Sequence, residues 1–507
     1  MHHHFDVLII GAGVSGIGMA CHLRRACPGK TFAILERRQA IGGTWDLFRY
    51  PGIRSDSDMF TFGYNFRPWT GAKVLADGAS IKQYVQDTAR EYNVERHIRF
   101  GLAVKTADWS SSDKRWTLTA NNEQTGERET YTANFLIGCT GYYNYDQGYK
   151  PDFPGEADFK GQMVHPQHWP ENLDYAGKKV VVIGSGATAI TLVPTLAEKA
   201  AHVTMLQRSP TYLMPLPSTD KITLLLQKLL PEKAAYRLTR ARNISISRFL
   251  YRRSRKSPAF MRRLFLGIIK RQLDSNTDLR HFSPDYNPWD QRLCVVKDGD
   301  LFKALRAGTA SIRTDHIDRF TEDGIQLKSG ETLKADIVIP ATGLDIQMLG
   351  GVVPRIDGQP VVLKDKVIYK NVMVEGMPNA GMIFGYTNIS WTLKVDIASE
   401  YLCRLINHMD RQGYQVAVPR DTEHSRGEDT VLGSLNAGYI KRAEDRLPRQ
   451  GTRGPWKASQ DYIADVKLLR FDPIEDGYLE LDGIRRHSPE STPGGILRPL
   501  RSALFGS

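Results

Sequence analysis

Two glycine-rich turns, far apart in a chain of 507 residues, limit what this sequence can fold into more than any other feature. The first is Asp6-Val-Leu-Ile-Ile-Gly11-Ala-Gly13-Val-Ser-Gly16, and the second is Val180-Val-Val-Ile-Gly184-Ser-Gly186-Ala-Thr-Ala189. Each joins a continuous apolar run, the mark of a strand buried on both faces, to a helical pattern. Such a turn brings backbone N–H groups and a helix N-terminus up to phosphate oxygens. Two of them predict an α/β protein with two Rossmann-like dinucleotide-binding domains.

The residues around each turn distinguish the two ligands. In the first unit the strand Phe5–Ile10 leads through the turn into a helix running past Met19-Ala-Cys-His-Leu23, and the strand Thr31–Leu35 then ends at Glu36. Gly11 permits the tight turn, Gly13 lets the backbone approach a pyrophosphate, and Gly16 lets helix and strand pack closely. Glu36 is placed to accept hydrogen bonds from both ribose hydroxyls. A turn of this kind at the extreme N-terminus resembles the FAD site of flavin monooxygenases and disulfide reductases. In the second unit Gly184, Gly186 and Ala189 form the turn, and the strand His202–Leu206 ends in Gln207-Arg208-Ser209 rather than in an acid. An acid there repels a 2′-phosphate, whereas Arg208 binds one through charge-assisted hydrogen bonds worth about 1.5–3 kcal/mol. The second site is therefore predicted to take NADPH.

Charge and cysteine content narrow the class further. Net charge is +12, but residues 221–271 hold fifteen Lys and Arg against the single acid Glu232, so that window carries +14 and the remainder −2. The excess is local, and no nucleic-acid partner is expected. Within the window the cations alternate with apolar clusters such as Leu229-Leu230, Phe249-Leu250 and Leu264-Phe-Leu266. Two readings stay open: a basic amphipathic surface that rests peripherally on a membrane, or a solvated helical face or rim that attracts NADPH. No apolar run approaches the roughly 20 residues that span a bilayer, and Val7–Ile10 leads into a glycine turn rather than a cleavage site, so a cytoplasmic enzyme is expected. Cys21, Cys27, Cys139, Cys294 and Cys403 are scattered, odd in number and without C-x-x-C spacing, which predicts neither disulfides nor a metal site. His2, His3 and His4 look like a tag remnant and are set aside from any metal argument.

Between the two turns lies Phe159-Lys-Gly161-Gln-Met-Val-His165-Pro-Gln-His-Trp169-Pro170. Alone, these residues describe a loop entering a strand. Flanked by two dinucleotide turns, they resemble the signature of the Baeyer-Villiger flavoprotein monooxygenases, most closely the branch containing the ethionamide-activating monooxygenases. The resemblance runs from about Phe5 to about Leu405. It implies FAD in the first site, NADPH in the second, and O2 as co-substrate. Phe159, Gly161, His165, Trp169 and Pro170 then couple the domains during the motion that exchanges nicotinamide for substrate near the flavin.

The resemblance also gives roles to residues whose own pattern says little. Gly42-Gly43-Thr44-Trp45 leads into Arg49-Tyr50-Pro51-Gly52-Ile-Arg54-Ser-Asp56, where disulfide reductases carry a cysteine pair that this chain lacks. By resemblance this loop, with Thr44 and Trp45, lies along the flavin and Asp56 approaches its reactive edge; read alone, Asp56 is a cap or turn residue. Tyr286-Asn-Pro-Trp289-Asp-Gln-Arg292-Leu-Cys294 resembles the segment bearing the family's active-site arginine, so Arg292 takes that role; read alone, it is an ion-pair partner of Asp290. Gln291 stands where many relatives carry Lys. Gly376-Met-Pro-Asn379 and Gly385–Trp391 resemble the late segment that closes over the flavin, followed by a helix over Lys394–Leu405.

The expected organisation is a first part of the FAD-binding domain over 1–145, then a linker and the first part of the NADPH-binding domain over 146–215. A basic helical insertion follows over 216–285, the second part of the NADPH domain over 286–343, and the rest of the FAD domain with a C-terminal segment over 344–507. Beyond about Gln450 no chemistry is legible. The implied reaction inserts oxygen next to a ketone carbonyl to give an ester or lactone, with Arg292 stabilising negative charge and Asp56 orienting it, and extends to thioethers. The alternatives are a flavin-containing monooxygenase acting on nitrogen or sulfur, and a nucleotide-binding or membrane-associated protein without catalysis. The Arg292 segment speaks against the first, and the two intact turns together with Arg292 against the second.

Overall fold

Strand His2–Ile10 lies between Phe32–Glu36 and Arg128–Gly138, parallel to both, at the centre of the larger sheet. The computed structural model describes residues 2–71, 73–275, 277–433 and 437–483. Side chains alternate across a strand, so Val7 and Ile9 enter one core cluster and Leu8 and Ile10 the other. That double burial is why the run is apolar at every position. The helices Val14–Ala26 and Trp391–Gln412 pack in the first cluster. From Arg128–Gly138 the sheet continues antiparallel through Arg115–Asn122 and Leu102–Ser110, then parallel to Val353–Ile356. Ala380–Met382 also returns to pair with Leu136–Gly138, so residues from both ends of the chain build one sheet.

The second sheet is wholly parallel, in the order Ala310–Thr314, His202–Gln207, Lys179–Ile183, Ile337–Pro340, Gln162–Met163. Val180 and Val182 face one core, Val181 and Ile183 the other. The protein is thus an α/β chain with two Rossmann-like units, and Gln162–Met163 of the bridging stretch forms an edge strand of the second.

Two crossings connect the units and lie against each other. Asn144 N donates to Asp345 O at 2.9 Å, Gln347 N to Tyr142 O at 3.0 Å, and Tyr149 N to Gly343 O at 3.3 Å. Thr342 Oγ1 adds a bond to Tyr149 O at 2.7 Å.

The basic window forms helices Lys221–Leu229, Glu232–Lys256 and Pro258–Lys270. Its middle helix is fastened to the first unit by the buried Arg240. The guanidinium donates to Phe60 O at 2.9 Å and Gly63 O at 2.7 Å, and pairs with Asp396 at 3.4 Å. The carbonyls belong to the C-terminal end of the short helix Met59–Phe62, where a cation is favoured. Asn243 Nδ2 reaches Asp58, the N-cap of the same helix, at 2.9 Å.

The late helix is longer than the pattern over Lys394–Leu405 suggests. It runs from Trp391 to Gln412 and stops at Gly413, whose φ of 76° ends it in the left-handed conformation. Residues 454–483 pack back against it and carry Asp465 to Lys394 Nζ at 2.8 Å, with both groups buried. Positions 484–507 of the expected C-terminal segment lie outside the described residues.

Candidate active site

A cavity of about 560 Å³ is lined by residues of both units. Its first wall is the N-terminal turn. Gly11 has φ +101°, and a Cβ there would sit 2.7 Å from Cys139 O; a Cβ on Gly16 would fall 1.8 Å from Gly11 O. Neither position admits a side chain, which is the physical content of the fingerprint. Gly13 caps the helix Val14–Ala26 and lines the cavity. Glu36, 5 % exposed, accepts from Ala12 N at 2.6 Å and from Arg38 N at 2.7 Å. Burial raises its pKa, and its oxygens keep further lone pairs towards the cavity it lines.

Thr44 and Trp45 lie in the one-turn helix Thr44–Leu47 and line the same space, with Trp45 edge-on to Phe62 at 5.9 Å between centroids. This turn is held by the buried Asp46, which pairs with Arg38 and Lys82, each at 2.6 Å.

Asp56 and Arg292, distant in sequence, line this cavity as well. Arg292 Nε donates to Thr387 O at 2.8 Å and Nη2 to Tyr386 O at 3.3 Å, which fixes the guanidinium and leaves Nη1 free of these two carbonyls. Burial alone lowers its pKa, but the surrounding Tyr142, Tyr439 and Tyr143 hydroxyls and Asp56 outweigh it and the net shift is upward. The Asp56 carboxyl is pushed up to about 6 by burial, against the opposing pull of Arg54 and Arg292.

Arg54 is a further cavity residue, one whose sequence context assigns it no role. Its Nη1 donates to Asp300 at 2.9 Å and its side chain is 6 % exposed. Its Nε and Nη2 are buried with no hydrogen-bond partner among the described residues. Buried donors without a partner are rare, and here they belong to a cavity whose walls suit an acceptor-rich dinucleotide. The one sequence signal was its place two residues before Asp56.

The second turn is built like the first. Gly184 has φ +137°, and a Cβ there would lie 2.3 Å from Ala341 O, whereas around Gly186 there is open space. Gly186 caps the helix Ala187–Leu196, in which Ala189 is fully buried and Thr188 reaches the shared cavity. Arg208 and Ser209 do not line that cavity; they stand at the end of His202–Gln207, where Ser185 Oγ donates to Ser209 O at 2.9 Å. Arg208 is exposed and has no ion-pair partner among the described residues. The sequence also missed Arg442, whose guanidinium stacks 3.4 Å from the Tyr149 ring centroid. Its pKa is lowered by burial and by like charge, including that of Arg208.

None of the five bridging residues lines the cavity. Phe159 packs edge-on to Phe320 at 5.9 Å, and a Cβ on Gly161 would lie 2.5 Å from Asp336 O. His165 Nδ1 accepts from Gln167 N at 3.2 Å, and its ring covers Gly148 so closely that a Cβ there would meet Cε1 at 2.1 Å. Burial lowers the His165 pKa, keeping the ring neutral. Trp169 packs on the core of the second unit, and Pro170, exposed, accepts from Leu173 N. Gln167 Nε2 ties the stretch to the first crossing through Asn144 O at 2.8 Å.

Comparison with known proteins agrees with this architecture. The flavin-binding monooxygenase-like family profile matches residues 75–386, and an NAD(P)-binding Rossmann-like domain profile matches residues 9–71. The chain is 57% identical over 483 residues to the putative FAD-containing monooxygenase MymA of Mycobacterium tuberculosis (strain ATCC 25618 / H37Rv), covering 94% of this chain and 98% of that protein. It is 55% identical over 483 residues to the probable FAD-binding monooxygenase AlmA of Acinetobacter baylyi, covering 95% and 97%. It is 51% identical over 478 residues to the FAD-containing monooxygenase EthA of Mycobacterium tuberculosis, covering 94% and 97%. Among solved structures, an oxidized steroid monooxygenase bound to NADP aligns with a TM-score of 0.74 at 22% identity, over 94% of this chain and 99% of that one. An open structure of cyclohexanone monooxygenase aligns with a TM-score of 0.73 at 19% identity, over 95% and 100%; at these identities the two structures speak for the fold. With the family profile spanning more than half of its length and relatives this similar over nearly all of it, the chain belongs to the flavin-binding monooxygenase-like family.

Proposed function

We propose that this protein is an NADPH-consuming Baeyer-Villiger monooxygenase. It inserts one atom of O2 next to a ketone carbonyl to give an ester or lactone, the other atom leaving as water, and it also converts thioethers to sulfoxides. The observation that carries this reading is the convergence of Asp56 and Arg292 on the cavity that also holds the first dinucleotide turn. FAD held at Gly11, Gly13 and Glu36 and reduced by NADPH supplies the activation of O2, which no side chain here can provide.

The protein's own groups do the rest. Gly184, Gly186 and Ala189 form the cradle for the NADPH pyrophosphate, and Arg208 takes the 2′-phosphate beside Ser209. Thr44 and Trp45 shape the wall along the flavin. Arg292, fixed by the Thr387 and Tyr386 carbonyls, offers its remaining donors to negative charge developing on the substrate carbonyl oxygen. Losing one preorganised donor of this kind costs about 2.7–4 kcal/mol, or roughly 10² to 10³ in rate. Asp56, ionised above about pH 6, holds the guanidinium in place and balances its charge. Phe159, Gly161, His165, Trp169 and Pro170 act at a distance, by fixing how the second unit rides on the crossings.

The test is NADPH oxidation by FAD-loaded protein with an aliphatic ketone and, separately, a thioether, with products identified by mass spectrometry. Ester from the ketone supports the reading, and Arg292→Ala should then lower ester formation by about 10² to 10³. Sulfoxide without ester would assign the chain to nitrogen and sulfur oxygenation and remove the roles given to Asp56 and Arg292.

A further inference from the structure

The basic insertion is not used by the chemistry, and its surface is unusual. Among the described residues twelve large apolar side chains are exposed, and eight of them lie within residues 221–270. On helix Lys221–Leu229 they are Ile222, Leu225 and Leu229, exposed to 57 %, 55 % and 70 %. The spacing i, i+3, i+7 places them on one stripe, while the buried residue of this helix is Thr223. The apolar stripe therefore points away from the protein. On the next two helices Phe249 is 65 %, Phe260 49 % and Leu264 42 % exposed. Arg253, one turn after Phe249, lies over the Phe260 ring at 5.5 Å and joins these two outward faces.

The charge around these residues is largely uncommitted. Arg240, Arg242, Arg248, Arg252 and Arg255 are held in ion pairs with Asp396, Asp220, Asp461 and Asp290. Lys221, Lys228, Lys233, Arg253, Lys256 and Arg263 are exposed with no ion-pair partner among the described residues. An exposed apolar stripe framed by free cations fits poorly to bulk water and poorly to nucleic acid, which offers phosphate but no apolar phase for leucine and phenylalanine. A second copy of this chain, meeting face to face, would set a window of +14 against itself. No described helix is long and apolar enough to cross a membrane. An anionic bilayer surface satisfies both halves of the pattern, taking the apolar side chains below its headgroups and the cations at them.

We propose that the outward faces of helices Lys221–Leu229, Glu232–Lys256 and Pro258–Lys270 form a docking surface for an anionic lipid bilayer. The surface is tied to the active-site region: Arg240 and Asn243 fasten it to residues 58–63, a stretch that follows Ser57 and contains Phe62, both of the cavity wall. Docking stands apart from the reaction proposed above, because it is read without turnover.

The experiment is co-sedimentation of the FAD-loaded full chain with vesicles of phosphatidylcholine alone and of phosphatidylcholine mixed with phosphatidylglycerol, at low and high salt. Binding is expected on the mixed vesicles and should fall at least about tenfold on phosphatidylcholine alone and at high salt. The variant Leu225→Ser, Leu229→Ser, Phe249→Ser should lose at least about tenfold in partitioning, and Lys221→Gln, Lys228→Gln, Lys233→Gln a comparable amount. Unchanged FAD content and melting temperature show that each variant is folded, as expected for exposed positions. Equal binding to both vesicle types, or undiminished binding by the serine variant, overturns the proposal. So does a vesicle-free dimer that the serine substitutions dissociate, which would give this face to a second copy.

Discussion

Asp56 is a half-buried acid beside two guanidinium groups, and the burial wins: its pKa stands at about 6 against an ordinary 3.8. We expect oxygen insertion per NADPH consumed to fall as pH drops below about 6, where Asp56 takes up a proton and ceases to balance Arg292. Asp56→Asn should show low coupling with that limb absent. The same shift has a stability consequence. The folded chain binds this proton more tightly than the unfolded chain, so the contribution of Asp56 to stability is greatest below about pH 4 and is lost as pH rises through about 6. Asp56→Asn should therefore raise the melting temperature of the apoprotein at pH 7 and not at pH 4. The gain is at most about 3 kcal/mol, less where cavity water screens the charge. At the second site, Arg208→Ala should raise KM for NADPH about ten- to a hundredfold and leave KM for NADH unchanged, as steady-state kinetics with each nucleotide will show. Residues bound to backbone conformation were legible in the sequence: only glycine fits the φ and contacts of Gly11 and Gly184. Arg54 and Arg442 were not, because the partners that define their surroundings, Asp300, Tyr149 and Arg208, are brought near by folding alone.

At the scale of elements, the informative piece is the segment after Gln450, which has neither periodicity nor a motif. Its short helix Tyr462–Val466 places Asp465 where Lys394 Nζ, Tyr386 Oη and Ser459 Oγ converge, at 2.8, 2.7 and 2.6 Å. Tyr386 is also the residue whose carbonyl receives Arg292. The late segment thus sets the loop that aims the arginine. Asp465→Ala leaves Lys394 buried without its partner and should cost about 3–5 kcal/mol, measurable by denaturant unfolding. Tyr386→Phe removes one hydrogen bond, at about 1 kcal/mol, and should loosen Arg292 enough to lower coupling before it lowers FAD content. Strands and helices flanking the turns followed from apolar runs and periodicity. This clamp did not, since its logic is the pairing of buried charges between elements distant in sequence.

At the scale of the molecule, both Rossmann-like units were evident from their turns, because a strand buried on both faces and a turn without Cβ atoms leave a pattern of their own. The fastening of the insertion to the first unit through Arg240 was hidden: a single arginine within a strongly basic helix carries no sign that it is buried. The bridging stretch belongs to this scale too. His165→Ala uncovers Gly148 in the crossing rather than altering the cavity, so NADPH oxidation should become uncoupled from oxygen insertion while FAD binding is kept. Equal loss of bound FAD and of coupling, by flavin absorbance and product yield, would count against that role. The paired crossings set a mechanical limit on all such movement. The two segments are laced to each other by the bonds between Asn144 and Asp345, Tyr142 and Gln347, and Tyr149 and Gly343, so that they form one spine rather than two separate tethers. At these crossings the halves of this enzyme are bound like the covers of a book, along one line of bonded backbone rather than at two separate points.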